Sequence, residues 1–519
     1  MADTENTTAT ETAGGSEYQA GHSPLHKGRR RIYTRFVQVD SSNVVEMVDE
    51  TVCAHMVNVA EITYLRDYWR GKQPILTREK AVRPEICNKV VENRADEIMS
   101  FKLGYQASEP LQYILSRDGS DNSLAESVAK LNEDMFIEGK EPQDAELLEW
   151  MFLCGVGYRM VEPDADETQH LVESEVLKDT APFSMHIPDP RSCYLVYSKM
   201  YHHRPLAAVW QGRDEDDEWI YTVYTPTARF TVKGGSVRED APNVLGLIPI
   251  VEYDLNSVRM GCFERVLPIL DAINLLDSNR LDGIEQVVQA LYLFKNCQVD
   301  KDSFLEMLEL GAVSVSSTEG AQGDVSLITN DLDQSQTQTV KADLIEAVHD
   351  ICGMPARTSS GSNNTSSGTY MSDGYSMAES HAKISELQFK KAERDFLRVV
   401  MRICEVARQP LQLTLRDIDV AFNRRSFDNT LTKAQSLVTM LQTSKIDPLD
   451  CLKASGLFND PEAVYARGQA YSEKQQAKAL EIAGQRQPGE DGGKDPDEAA
   501  NDPETGCKPT LNVSGDQSD

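Results

Sequence analysis

The chain has 519 residues, 83 of them Asp or Glu against 52 Lys or Arg, for a formal net charge of −31, and 40% are hydrophobic. That length and apolar content provide for about three to four domains and exclude a wholly disordered polymer or a disulfide mini-protein. The acidic excess argues against a protein that coats nucleic acid through many phosphate contacts.

Residues 1–25 are rich in Thr, Glu and Gly with hardly any large apolar side chain, and read as a disordered tail. No basic segment followed by an apolar run stands there, so no export signal is visible, and the chain is expected to stay in the cytoplasm or in a particle assembled there. Lys27, Arg29, Arg30 and Arg31 form a basic patch, either a solvated linker or a contact for an acidic partner. From about 45 to 100 the pattern is helical, and EICNKVVENRADEIMSF sets Ile86, Val90, Ala95 and Ile98 near a 3.6-residue period. Helices are expected over 122–160, ending in CGVGYRM, whose glycines mark close helix packing. Between 183 and 253 the period becomes two. WIYTVYTPTARFTVKGG reads as two strands around a Thr-Pro-Thr turn, and GLIPIVEY as another. The longest clean apolar stretch, Val244 to Val251, is broken by Gly246 and Pro249 and is too short to cross a bilayer. The 10 cysteines form no C-x-x-C pair, so they read as small hydrophobes rather than as zinc ligands or a disulfide framework.

Residues 261–295 form the next helical pattern, through Leu267, Leu270, Ile273, Leu281, Ile284, Val288 and Leu291, with bends expected at Pro268 and Gly283. A short helix at 301–310 and a small hairpin of GAVSVSS with DVSLI follow. The spacing then predicts a helix from Thr337 to Cys352, with Val340, Leu344, Val348 and Ile351 on one face, Gly353 as its cap and Pro355 as its stop. Asp343, Glu346 and Asp350 make an acidic stripe away from that face, which is an ordinary solvated surface unless something runs past it. The segment RTSSGSNNTSSGTYMSDG has no apolar run and reads as a polar loop, of a length that is usually functional or disordered. From about Met377 to Arg408 a long helix carries an apolar stripe of Phe389, Ala392, Phe396, Val400, Ile403 and Ala407. Lys391, Arg394, Arg398 and Arg402 form a basic stripe opposite, either solvent-exposed or meeting the acidic stripe of a neighbouring subunit. LQLTLRDIDVAF alternates as a strand, 428–480 returns to helices with turns near Pro448, Gly456 and Pro461, and 487–519 is an acidic tail.

No catalytic constellation appears: there is no GxSxG elbow, no HExxH, no GxGxxG after a strand and no phosphate cradle of the GxxxxGK[ST] type. Asp214 to Glu218 is the densest carboxylate run, but a metal nuclease gathers its acids from separate strands, so a charged hairpin tip is expected. His202 and His203 are adjacent and would point apart in a strand. No catalytic residue, metal or cofactor is expected.

TYLRDYWRGKQPIL, with Tyr68, Trp69, Arg70, Gly71, Gln73, Pro74 and Ile75, resembles the N-terminal signature of the portal proteins of tailed bacteriophages, in particular the siphophage portals of phages of Gram-positive hosts. CNKVVENRADEI, with Asn88 and Asn93, resembles the next block of that family. The segments from GLIPIVEYDLNS to DGIEQ and from SSGTYMSDG into the long helix resemble its later blocks, over about 62–475. The resemblance implies an α+β, mainly helical portal fold with a mixed α/β wing, a helical stem, a small α/β clip and a helical crown. Mapped onto this chain, 1–30 is a tail, 31–255 the wing, 256–295 and 337–354 the stem, 296–336 the clip and 355–376 the tunnel loop. Then come the long helix and a wing strand (377–427), the crown (428–480) and the acidic tail (481–519). It further implies a ring, usually of twelve subunits, at one capsid vertex. Genomic double-stranded DNA passes non-specifically through it, driven by the terminase large subunit, and leaves later to the tail. Major capsid, scaffolding and head-completion or adaptor proteins are the other partners implied, with no membrane. On that reading Asp343, Glu346 and Asp350 line the channel. Ser359, Ser360, Ser362, Asn363, Asn364, Thr365, Ser366 and Ser367 touch DNA, and Lys391, Arg394, Arg398 and Arg402 lie between subunits. The rival readings are a metal-dependent nuclease or peptidase built on the wing, and an acidic scaffold or minor head protein.

Overall fold

A computed structural model describes residues 28–107, 109–116, 122–163, 181–200, 202–288, 291–295, 324–328, 334–355, 367–407, 411–422, 430–442, 446–458 and 461–484. The chain divides into two units at Asp460, and within the second the described element is a helix over Pro461–Gly484.

The first unit is built around strand β5 (Cys193–Ser198), whose six residues are all buried. Its alternate side chains serve two cores: Tyr194 and Val196 face one, Cys193, Leu195 and Tyr197 the other. A strand covered on both faces reads as an unbroken apolar run, which is why CYLVYS shows no polar alternation. β5 lies in a six-stranded sheet, between β1 (Ile32–Thr34), which it pairs in parallel, and β6 (Pro205–Arg213). The sheet continues antiparallel through β7 (Trp219–Tyr224), β8 (Ala228–Lys233) and β9 (Ser236–Pro242). The β7–β8 hairpin is the one that the period-two pattern predicts.

Helix α1 (Val44–Trp69) spans both cores. Val44, Met47 and Val48 pack on the sheet, while Ile62, Leu65 and Tyr68 enter the larger core. There they meet α2 (Arg94–Gln106), α3 (Asn122–Ile137) and α4 (Lys140–Cys154), with a second antiparallel sheet of β10 (Ile250–Asp254), β3 (Val156–Pro163) and β4 (Phe183–His186). A short pair joins β2 (Gln112–Leu115) to β13 (Ile418–Ala421), so only the end of LQLTLRDIDVAF becomes a strand. Helices α5 (Leu267–Val288), α6 (Gln334–Cys352) and α7 (Ser367–Val406) complete the core, and α8 (Thr430–Leu441) packs on α9 (Pro448–Ser455). The whole is mixed α+β and mainly helical.

Three local expectations are corrected. The helix expected through Ile86 and Val90 begins only at Arg94; residues 87–93 carry no helix. Pro268 stands in the first turn of α5, where its missing N–H is not needed, so it starts the helix instead of bending it. The helix also stops at Val288. Leu291–Lys295 is a strand, β11, paired antiparallel with β12 (Asp324–Ile328) from Leu291↔Ile328 to Lys295↔Asp324. Aromatic and apolar residues in LYLFK suit a pleated ladder better than a helix face. The expected GAVSVSS strand and the 301–310 helix lie outside the described residues.

Candidate functional site

The acidic stripe falls on α6. Asp343, Glu346 and Asp350 are all exposed, on the side of α6 away from buried Val348 and Cys352. The apolar face is narrower than its spacing predicts, because Val340 and Ile351 are 49% and 47% exposed. Tertiary contact explains this: α6 rests on α5 and on the turn before it. Lys341 is drawn to Asp277 and Glu92 at 2.9 and 2.7 Å. The helix ends as its sequence dictates: Gly353 is left-handed at φ +62°, and the Met354 N–H donates to the His349 carbonyl at 2.8 Å.

Of the expected loop contacts, Ser359, Ser360, Ser362, Asn363, Asn364, Thr365 and Ser366 lie outside the described residues, and Ser367 is the first residue of α7. The helix therefore starts ten residues before Met377. A strong amphipathic helix propagates cheaply through a proline-free segment once nucleated, even a polar one.

On α7, Phe389, Ala392, Phe396, Val400 and Ile403 are buried, and Lys391, Arg394, Arg398 and Arg402 are exposed. Ala407, expected on the apolar stripe, lies exposed beyond the helix end. The basic stripe is not wholly uncompensated. Arg398 pairs with Asp395, while Arg402 pairs with Glu405 at 2.9 Å and donates from Nε to the Leu245 carbonyl at 3.1 Å.

The core also has a polar centre, built from residues that no sequence motif marks. Glu393 is 0% exposed, on the apolar face of α7. It accepts hydrogen bonds from the Tyr113 and Tyr253 hydroxyls at 2.5 and 2.6 Å and lies 3.1 Å from Lys140 and 3.5 Å from Arg159. Asp144 closes the group, paired with Arg159 and 2.6 Å from Lys140. Two acids and two bases thus balance inside the protein. Burial alone would raise the Glu393 carboxyl, but Lys140, Arg159 and the two hydroxyls hold it below its ordinary value. The signal was present: Glu393 follows Phe389 by four residues and so sits within the apolar stripe. Gly157 brings β3 against α4 here, since a Cβ on it would lie 2.7 Å from Leu147 Cδ1. The helix expected to run through CGVGYRM is corrected here: α4 ends at Cys154 and Val156–Pro163 is strand β3, so Gly157 packs a strand, and not a second helix, against α4.

The motif residues near the N-terminus are structural. Tyr68 donates to Asp271 at 2.9 Å, Gln73 donates to Asn93 at 2.9 Å, and Asn93 donates to the Trp69 carbonyl at 2.7 Å. Asn274 donates to Gln73 at 2.5 Å and so ties the motif to α5. The segment that is not a helix is held by the same face of α5. The backbone N–H groups of Asn88, Val90 and Glu92 donate to Asp282, Ser278 and Asn274 at 2.7, 3.0 and 2.8 Å. Two residues of extended chain advance about 6.6 Å and four of helix about 6.0 Å, so the two elements stay in step for three rungs.

The Asp214–Glu218 run is the β6–β7 hairpin tip. Its Asp214 carboxylate accepts the N–H groups of Asp216 and Glu218 and pairs with Lys233. Among the described residues no group of three or more His, Cys, Asp or Glu is placed to hold a metal ion, and no helix is long and apolar enough to cross a membrane. His203 lies in a turn at φ +44°, not in a strand.

Residues 54–485 match the model of the family described as phage portal protein, SPP1 Gp6-like. The chain belongs to that portal family. It is accordingly a structural protein, a component of the virion that joins head to tail as a homo-oligomeric ring, and not an enzyme. No match is found among the curated proteins. Among solved structures, a chain from the "Neck of empty GTA particle computed with C6 symmetry" is similar at a TM-score of 0.39 and 10% identity, over 70% of this chain and 90% of that one.

Proposed function

We propose that about twelve copies of this portal protein close into a ring at one capsid vertex, in the manner of siphophages of Gram-positive hosts. Through its channel the terminase large subunit packages double-stranded DNA, which later leaves to the tail. The observation that carries this reading is the family match over 54–485, joined to an exposed carboxylate row on a helix of that region. A conduit must pass phosphates without gripping them. A wall bearing Asp343, Glu346 and Asp350 repels the backbone, whereas a basic wall would hold it by counterion release. Hydroxyls and amides over 359–367 supply weak contacts blind to sequence.

The same reading assigns 31–255 with the strand at 411–422 to the wing, and 256–295 with 337–354 to the stem. The clip is 296–336, with Glu306 to Asp324 as the surface for the motor; the tunnel loop is 355–376 and the crown 428–480. Capsid, scaffolding and head-completion proteins meet the outer parts. Uncovered apolar side chains on the two stem helices and the long helix support contact with a neighbouring subunit: Leu275, Leu281 and Ile284 on α5, Val340 on α6, Ile384 and Leu387 on α7.

Negative-stain imaging of the purified protein should show rings with a central hole; a population of compact monomers would overturn the reading. In procapsids carrying the triple substitution Asp343→Lys, Glu346→Lys and Asp350→Lys, packaging should slow or stall, and an unchanged packaging rate would remove these acids from the channel. Charge reversal at Arg394, Arg398 and Arg402 should shift sizing profiles from ring towards monomer; intact rings would show that the basic stripe lies outside the subunit boundary.

A further inference from the structure

A cavity of about 320 Å³ opens between α2, the 255–265 segment, the end of α6 and α7. Its size falls within the range of small-ligand sites. No carboxylate lines it, although acids outnumber bases across the chain. Its charged and titratable lining consists of Lys102, Arg265 and His381, the thiols of Cys262 and Cys352, and Tyr105, whose hydroxyl donates to Glu379 at 2.7 Å. Burial holds both thiols protonated, with Cys352 pushed up to about 11, so they offer the cations no negative charge. Among the described residues no carboxylate lies within ion-pairing distance of Lys102, Arg265 or His381, although Lys102 is half-buried and burial pulls its ammonium below the ordinary value. Desolvation, Lys102 and Arg265 each lower His381, so the three bases share one field. Gln106, 3% exposed on the same wall, donates to the Ala382 carbonyl and the Ser385 hydroxyl at 3.1 and 2.8 Å, which leaves its buried Oε1 without a donor.

We propose that this cavity binds a phosphate-class anion, held by Lys102, Arg265 and His381. Lys102 and Arg265 supply positive charge, and all three bases supply N–H donors to the anion oxygens. A protonated oxygen of the anion supplies the hydrogen bond that Gln106 Oε1 lacks, a role open to inorganic phosphate and closed to sulfate at neutral pH. Because α6 and α7 flank residues 356–366, the anion would tie the helices on either side of that segment to α2. The ligand is therefore the free ion, because a DNA phosphodiester is fully ionised at neutral pH, like sulfate, and has no proton to give Gln106 Oε1.

The test uses the full-length protein and does not depend on ring formation. Its thermal midpoint is titrated with sodium phosphate, sodium sulfate and sodium chloride at matched ionic strength. A saturable rise with phosphate is expected, exceeding that with sulfate, and its half-saturation should weaken about tenfold or more, a factor of ten in affinity per 1.4 kcal/mol, in Arg265→Gln and Lys102→Gln. Arg265 is exposed, so that variant is expected to fold normally and keeps the test decisive even if Lys102→Gln does not. Binding of a short duplex oligonucleotide is measured in parallel. Unchanged duplex binding with the phosphate response lost in both variants is expected for the free ion; weaker duplex binding in both variants, competed by phosphate, would overturn the assignment to a protonated anion. Equal phosphate responses in the wild type and Arg265→Gln, or a response no greater than that to chloride, would overturn the site.

Discussion

Arg159→Met should lower the stability of the first unit by about 3–5 kcal/mol, because it strands a buried carboxylate. Arg159 is 0% exposed, pairs with Asp144, and lies with its guanidinium 5.5 and 5.0 Å from the ring centres of Tyr253 and Phe396. Removing it leaves Asp144 and Glu393 with Lys140 as their sole cation in the group. The excess negative charge cannot reach water, and that penalty exceeds any loss of packing. Adding Glu393→Gln restores the balance, so the double variant should be more stable than the sum of the two single losses requires, with a coupling of about 0.5–3 kcal/mol. Urea denaturation of all four proteins measures this. The pH dependence follows from the sign of the Glu393 shift. Its folded value lies below its ordinary 4.5, so its stabilisation is fully present above pH 4.5 and is lost as pH falls through the depressed folded value. The difference between the wild type and Glu393→Gln should therefore shrink in acid. A difference constant down to pH 3, or additive losses, would show that the four charges do not act as one group.

Asp282→Ala should cost about 2–4 kcal/mol, since several donors lose one acceptor together. The Asp282 carboxylate is 3% exposed; it accepts from the Asn88 backbone and side chain at 2.7 and 3.0 Å and pairs with Arg78 and Lys80, both at 3.0 Å. Burial would raise this carboxyl, but those donors and cations hold it below its ordinary value. Ser278→Ala removes a single rung at Val90 and should cost only about 1 kcal/mol. Hydrogen exchange separates the two. Asp282→Ala should expose the Asn88 amide while the Glu92 amide stays protected by Asn274, and Ser278→Ala should affect chiefly Val90. Uniform loss of protection over 86–93 would mean that the segment is held as a block and not rung by rung.

That segment marks where local pattern stops deciding structure. Ile86, Val90, Ala95 and Ile98 satisfy a helical period, yet the first two lie in non-helical chain and only the second pair in α2. The cause is remote in sequence: α5 presents Asn274, Ser278 and Asp282 at four-residue steps, and three backbone N–H groups find better acceptors there than in a helix of their own. LYLFK illustrates the same point, since its strand exists because Asp324–Ile328 pairs with it. Glu393 was readable as an acid on a greasy face, but not as a stabilised one until Lys140, Arg159 and two tyrosines from four other elements surround it.

By itself the sequence determined what depends on near neighbours: the mainly helical α+β class, the β7–β8 hairpin, the capped end of α6 and the opposed apolar and basic faces of α7. Hydrophobic period, turn chemistry and capping act within a few residues, so they survive without tertiary context. The tertiary structure alone decided which polar groups belong inside. The extended path of 87–93, the buried charge quartet and the unpaired bases around Lys102 all depend on partners tens to hundreds of residues away. The energy of a buried charge or a freed N–H is set by those partners and not by the residue's own neighbours in the chain.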